Sequence, residues 1–97
     1  MVIEIVEFTL KPGAADAFVQ GWQQGVHYLQ QQSGYISHAF GPQFEDPNIY
    51  MLQVQWQALA DHHAFMASGD YAPFGASFRT HVEGKARVQH FDPLPGV

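Results

Sequence analysis

The chain contains no cysteine, few basic residues and no long apolar run. Without cysteine it cannot form disulfides, thiolate nucleophiles or cysteine-ligated iron–sulfur clusters, and this composition fits a reducing compartment. Only four Lys and Arg stand against nine Asp and Glu, giving a formal net charge of -5 that would repel a phosphate backbone. No stretch approaches the roughly 18 apolar residues of a membrane span. These absences predict a cytoplasmic protein with no nucleic-acid or membrane partner.

The apolar content is high for so short a chain. Of the 97 residues, 46% are hydrophobic and 14% are aromatic. A chain of this length is expected to form a single domain, residues 1–97, that buries roughly 60 to 70 per cent of its unfolded surface. A small monomer does not easily hide this much apolar material, so we expect some of it to be buried between subunits.

Hydrophobic periodicity divides the chain into strands and helices in the order β-α-β-β-α-β. This order is that of the ferredoxin-like split βαβ arrangement, an α+β fold with a four-stranded antiparallel sheet. Its helices cover one face of the sheet, so the other face, with Met51, Gln53 and Gln55, is predicted to form a homodimer. The predicted elements are strands at residues 2–10, 35–44, 50–56 and 85–91 and helices at residues 14–32 and from 59 onward.

The second helical region carries a break in its pattern. Ser68 and Gly69 interrupt it, and Asp70 is placed to cap a new helix ahead of Pro73. Two shorter helices are therefore expected where the simple order has one.

Several short motifs follow one another in a way that resembles a known family. Lys11–Pro12–Gly13 leads into the first helix, Gly34–Tyr35 begins the second strand, and Trp56 is followed by Asp61–His62. Val88–Phe91 looks like the last strand of that family. Over nearly the whole chain these features resemble the antibiotic biosynthesis monooxygenases, which belong to the dimeric α/β-barrel superfamily. The resemblance implies the same fold and a sheet-to-sheet homodimer.

The resemblance implies a range of activities. The superfamily includes cofactor-independent oxygenases of quinol-like or polyketide aromatics, haem-degrading enzymes and cyclases, so the fold does not fix the function. The haem-degrading branch uses an Asn and a His at positions that fall here near Val6 and Gly75, which cannot serve. We expect a monooxygenase that needs no cofactor and acts on a small aromatic molecule. A polyketide-type cyclase and a non-catalytic ligand-binding or stress protein are the alternatives.

Oxygenation without a cofactor requires an apolar cavity, a group that takes a proton and a donor that holds the developing oxyanion. Trp56 could stack on a flat substrate while its indole N–H donates a hydrogen bond, although a Trp here is more often a core residue. His62 is predicted to assist proton transfer, and Tyr71 or Tyr50 to stabilise the anion. The predicted substrate-binding residues are Val6, Phe8, Tyr50, Leu52, Val54, Phe65, Phe74 and Phe78.

Two further polar features carry weaker signals. Glu4 is expected on the helix-facing side of the first strand, where a buried Glu beside a His would be a site candidate, but a solvated edge charge is the favoured interpretation. His62 and His63 are adjacent and cannot chelate as an i, i+4 pair does, so no metal is predicted. A site assembled from distant histidines stays open, and His38 and His90 lie on strands with one enclosed face.

Overall fold

The computed structural model describes all 97 residues, and its four strands form one sheet in the order β2-β3-β1-β4. Every neighbouring pair is antiparallel, so the predicted α+β fold with a four-stranded antiparallel sheet is confirmed. The longest helix has 16 residues, and none is both long and apolar enough to cross a bilayer. The elements are β1 (Val2–Thr9), α1 (Ala15–Gln30), β2 (Tyr35–Pro42), β3 (Ile49–Trp56), α2 (Leu59–Ala67), α3 (Tyr71–Ala76), a 3-10 turn (Arg79–His81) and β4 (Arg87–Phe91).

The register of the sheet decides which side chains face the helices. Glu4 on β1 lies opposite Val54 on β3 and opposite His90 on β4. Because side chains alternate along a strand, these three residues form one row across the same face. Val54 is fully buried beneath the helices, so this row faces the interior. β2 and β3, which are consecutive in the chain, pair antiparallel as a hairpin.

Aromatic rings hold α1 on the sheet. Trp22 stacks on Phe40 of β2 with ring centroids 4.3 Å apart and planes within 9° of parallel. Phe18 meets Tyr50 of β3 edge-on at 5.3 Å, and such aromatic pairs add about 0.5–1.5 kcal/mol beyond the burial of their area. α1 therefore covers β2 and β3, which leaves the side of the sheet near β4 to α2 and α3.

The predicted break in the second helical region is confirmed, but its capping differs from the prediction. α2 ends at Ala67 and α3 begins at Tyr71. The Asp70 side chain makes no capping bond to α3, because its carboxylate accepts hydrogen bonds from the amides of Gln31 and Gln32 at 3.1 and 2.9 Å. These bonds tie the end of α1 to the start of α3.

Two glycines allow α1 and α3 to touch. A Cβ atom on Gly21 would overlap the backbone carbonyl of Ser77, and one on Gly25 would overlap the Ser77 side chain. Gly21 and Gly25 are both buried, so neither clash could be relieved into solvent. The separation of the two helices is set by these positions.

Gly21→Ala is predicted to destabilise the protein by about 1–3 kcal/mol, because a backbone atom must move to admit the methyl group. Urea unfolding followed by circular dichroism measures the change. Gly69→Ala is the matched control, since nothing lies within 4 Å of a Cβ atom there. Equal effects of the two substitutions would contradict the close packing of α1 on α3.

Candidate active site

A cavity of about 340 Å³ lies between the inner face of the sheet and the layer formed by α2, α3 and the 3-10 turn. This volume falls within the range of roughly 300–1,000 Å³ seen for small-molecule sites. Twelve of its 16 lining residues are hydrophobic, which favours an apolar ligand. Val88 and His90 line the cavity and are themselves exposed, so the cavity reaches the surface beside β4.

One wall of the cavity carries a chain of polar contacts, which we call the polar chain: Trp56, Glu4, His62 and His90. The indole N–H of Trp56 donates a 2.9 Å hydrogen bond to Oε1 of Glu4. The other carboxyl oxygen, Oε2, lies 3.3 Å from Nε2 of His62, and Nδ1 of His62 shares a 2.8 Å hydrogen bond with Nε2 of His90. Trp56, Glu4 and His62 are buried whereas His90 is exposed, so the polar chain runs from the core to the surface.

The sheet register and one tight connection bring these residues together. Glu4 and His90 are paired across β1 and β4, and Trp56 is two residues along β3 from the partner of Glu4. α2 begins three residues after Trp56, which puts His62 in its first turn. Ala58 offers no capping side chain, but the Asp61 carboxylate accepts a 3.0 Å hydrogen bond from the Ala58 N–H and fixes the helix start.

Burial shifts the acid–base properties of the polar chain. It raises the pKa of the Glu4 carboxyl, and the hydrogen bond from Trp56 opposes this rise without cancelling it. Burial also lowers the pKa of His62 to about 4, and the nearby His90 and His63 act in the same direction. The contact between Glu4 and His62 would become an ion pair only if His62 were protonated, which its burial opposes. At neutral pH His62 is therefore a neutral imidazole.

The lowered pKa makes His62 a pH-dependent contributor to stability. The unfolded chain binds a proton at this histidine below about pH 6.5, whereas the folded protein does so only near pH 4. The contribution of His62 to the free energy of unfolding is therefore full above pH 6.5 and is lost as the pH falls to 4, by at most about 3 kcal/mol. Glu4 acts in the opposite sense, because its raised pKa gives stability that is lost as the pH rises.

We predict that the difference in unfolding free energy between the native protein and His62→Gln shrinks by about 1–3 kcal/mol as the pH falls from 6.5 to 4. Urea denaturation in chelator-treated buffer measures it. The comparison cancels what Glu4, His63 and His90 contribute equally to both proteins. A difference that stays constant with pH would show that His62 has an ordinary pKa.

The structure gathers most of the predicted site residues around the cavity. Two of them lie elsewhere: Tyr50 packs on Phe18 and Phe40, and Trp56 is wholly buried behind the wall. Trp56 gives its N–H to Glu4, so that group is not free for a substrate, and the ring is fully buried, so the expected stacking on a substrate does not fit this geometry. The predicted residues that line the cavity are Val6, Phe8, Leu52, Val54, His62, Phe65, Tyr71, Phe74 and Phe78.

Three polar residues of the cavity, Glu4, Arg79 and His90, are not among the predicted site residues. Glu4 is only 6% exposed, so the interpretation as a solvated edge charge is wrong. The sequence predicts that His90 lies on a strand with one enclosed face, but no pattern in it pairs His90 with Glu4. Arg79 lines the cavity with its guanidinium 4.7 Å from the Tyr71 ring centre, and a Cβ atom on Gly75 would overlap that guanidinium.

The sheet, the helices on one of its faces and the cavity between them define a small α+β domain with a ligand-sized interior site. The family model for antibiotic biosynthesis monooxygenases matches residues 1–83, and the chain belongs to this family. Its relative YczJ from Bacillus subtilis, an uncharacterised protein, is 28% identical over 95 residues, which cover 97% of this chain and 100% of YczJ.

Solved structures share the same architecture. A protein from Bordetella bronchiseptica that carries the family's name superposes with a TM-score of 0.90 at 22% identity, covering 96% of each chain. SnoaB from Streptomyces nogalater, described as a cofactor-independent oxygenase, superposes with a TM-score of 0.84 at 17% identity, covering 99% of this chain and 95% of SnoaB. At these identities the likeness establishes the fold.

Proposed function

We propose that this protein is a cofactor-independent monooxygenase of a small aromatic molecule of the anthrone or hydroquinone class. The observation that carries the proposal is the apolar cavity whose one wall holds a hydrogen-bonded pair of histidines backed by a buried carboxyl group. Membership in the antibiotic biosynthesis monooxygenase family and the likeness to SnoaB support the reaction class.

In this proposal His90 takes the first proton from the substrate. His62 is enclosed by its two neighbours, since Nδ1 bonds to His90 and Nε2 faces Glu4. Nδ1 of His90 takes no part in that bond, and His90 lies where the cavity opens. The protonated His90 donates through Nε2 to His62, which in turn presents an N–H to Glu4. His62 thus assists proton transfer as a positioning residue, and His90 is the residue that meets the substrate.

The substrate anion then reduces dioxygen. With an anthrone, the carbanion adds to O₂ to give a carbon-bound peroxide, which takes up a proton and loses water to leave a carbonyl group. One oxygen atom ends in the product and the other in water, and the four electrons come from the substrate CH₂ carbon. The protein contributes the base, the apolar enclosure and charge stabilisation.

In this proposal Arg79 and Tyr71 stabilise the anion. The guanidinium lies against the Tyr71 ring, which fixes its position, and both side chains line the cavity. Glu4 contacts the neutral His62 and Glu7 forms an ion pair with Arg87, and no carboxylate forms an ion pair with Arg79. A positive charge beside an apolar cavity favours the deprotonated form of a bound phenol or enol.

Oxygen uptake tests the proposal directly. Metal-stripped protein is assayed with a panel of anthrones, naphthohydroquinones and benzohydroquinones, with spontaneous oxidation subtracted. We expect a saturable rate that falls about a hundredfold in His90→Gln, because a positioned base contributes about that much or more. His27→Gln, which changes an exposed histidine on α1, is the matched control and should keep the native rate.

Other outcomes of this assay would support a different function for the protein. An absence of oxygen uptake across the panel would refute the oxygenase. Ring closure of a polyketide-type substrate without oxygen would then identify a cyclase, and saturable binding without conversion would identify a ligand-binding or stress protein. Unchanged oxygen uptake in His90→Gln would show that His90 is not the base, and the oxygenase proposal would still stand.

We also propose a homodimer formed by the outer face of the sheet. Ile5, Ala39 and Met51 line a shallow groove on this face, which no helix covers. A groove bordered by apolar residues and by Gln53 suits a partly polar contact with a second sheet. The cytoplasmic location inferred from the cysteine-free composition stays a prediction, as does the lack of a nucleic-acid partner.

The mass in solution checks the homodimer. Light scattering should give twice the chain mass of 10.9 kDa for the native protein and the single-chain mass for Ile5→Glu, because a buried unpaired carboxylate opposes association. Gln20→Glu, which adds the same charge on an exposed position of α1, should stay dimeric. A native protein with the mass of one chain would contradict the homodimer.

A further inference from the structure

We infer that Glu4, His62 and His90 form a binding site for a divalent transition-metal ion, with an open coordination position toward the cavity. Each of the three residues offers one ligand atom, and the three atoms lie within 4.8 Å of one another. Two imidazoles and one carboxylate are a recurrent ligand set for zinc and for non-haem iron. This inference does not rest on the proposed oxygenase function.

The spacing of the inner two ligands already suits a metal ion. Zinc bonds of about 2.0–2.1 Å in a tetrahedral site place neighbouring ligand atoms roughly 3.3 Å apart. The separation between Oε2 of Glu4 and Nε2 of His62 is 3.3 Å. His90 is the ligand that must adjust, and it is free to do so because it is exposed on a strand at the edge of the sheet.

The surroundings of Glu4 orient it as a ligand. The Trp56 N–H holds Oε1, so Oε2 is the oxygen directed at His62. Outer hydrogen bonds of this kind are a regular feature of metal sites, where they fix the orientation of the ligands. Trp56 is fully buried, which makes this support rigid.

The ligand types decide which ions fit. Imidazole nitrogen is a good ligand for zinc and iron and a poor one for magnesium and calcium, which prefer oxygen. Three protein ligands leave at least one position for water or a ligand molecule, as in zinc sites that act on substrates. The apolar cavity beside the cluster is where that position would open.

Titration of chelator-stripped protein without a histidine tag tests the site. Zn²⁺ binding is measured by calorimetry, and Co²⁺ binding by the visible absorption of the cobalt complex. We expect one ion per chain, with affinity reduced at least about tenfold in His62→Gln and in His90→Gln. His27→Gln and His63→Gln keep the histidine count of the single variants but leave the cluster intact, so they should bind like the native protein.

Two results of the titration would contradict the metal site. If the native protein takes up no stoichiometric ion, or if His90→Gln binds as well as the native protein, the inference is overturned. Should His62→Gln fail to fold, His90→Gln still decides the matter, because His90 is exposed on β4. The titration contains no substrate and no oxygen measurement, so its failure would leave the oxygenase proposal standing, and the reverse also holds.

Discussion

The buried carboxyl group of Glu4 constrains the rest of this structure. An ionisable group removed from water costs free energy unless polar partners surround it. Here a tryptophan supplies a hydrogen bond from one strand, and a histidine supplies a polar contact from the following helix. The polar partners that Glu4 needs therefore constrain the positions of the end of β3 and of the first turn of α2. Trp56 meets two demands at once, since its ring fills the core and its N–H serves the carboxyl group.

The two proposals depend on the same lone pairs. As the base, His90 needs a free nitrogen to take the proton, and His62 needs one to accept the hydrogen bond from His90. A metal ion held by these residues would occupy one nitrogen of each. The protein in its metal-bound form and the protein in its proton-accepting form are therefore mutually exclusive states of one cluster. The apolar walls strengthen the polar contacts within the cluster, because electrostatic interactions are stronger where water is excluded. Metal availability would decide which chemistry the cavity supports.

Much of the architecture could be predicted from local patterns. The alternation of Leu52 and Val54 with glutamines predicted which face of β3 is buried, and the pairing of the strands then set the cavity wall. The polar chain could not be predicted in the same way. The hydrogen bond between Glu4 and Trp56 joins residues 52 positions apart, and a register slip of one residue would have turned either side chain to the opposite face.

His90 was harder still to assign. Its strand, β4, is short, and all five of its residues are exposed. The sequence of β4 therefore shows no clear alternation of buried and exposed positions. Only the pairing of β4 with β1 brings His90 opposite Glu4. Tyr50 shows the converse error, since it faces the helices as predicted but lies under α1 rather than beside the cavity. A correct face does not determine which part of that face a ligand can reach.

Because His90 lies on β4, the order of this strand and the binding of a ligand in the cavity depend on each other. β4 bonds to a single neighbour, β1, and exposed edge strands of this kind open at a lower free energy than the core. If β4 separated from β1, His62 would lose its contact with His90, whereas the bond between Glu4 and Trp56 joins β1 to β3 and does not involve β4. A molecule that fills the cavity touches Val88 on the same strand and so holds β4 in place. If β4 becomes ordered only when the ligand binds, part of the binding free energy is used to order the strand. The ligand then binds less tightly than it would bind to a protein in which β4 is already ordered.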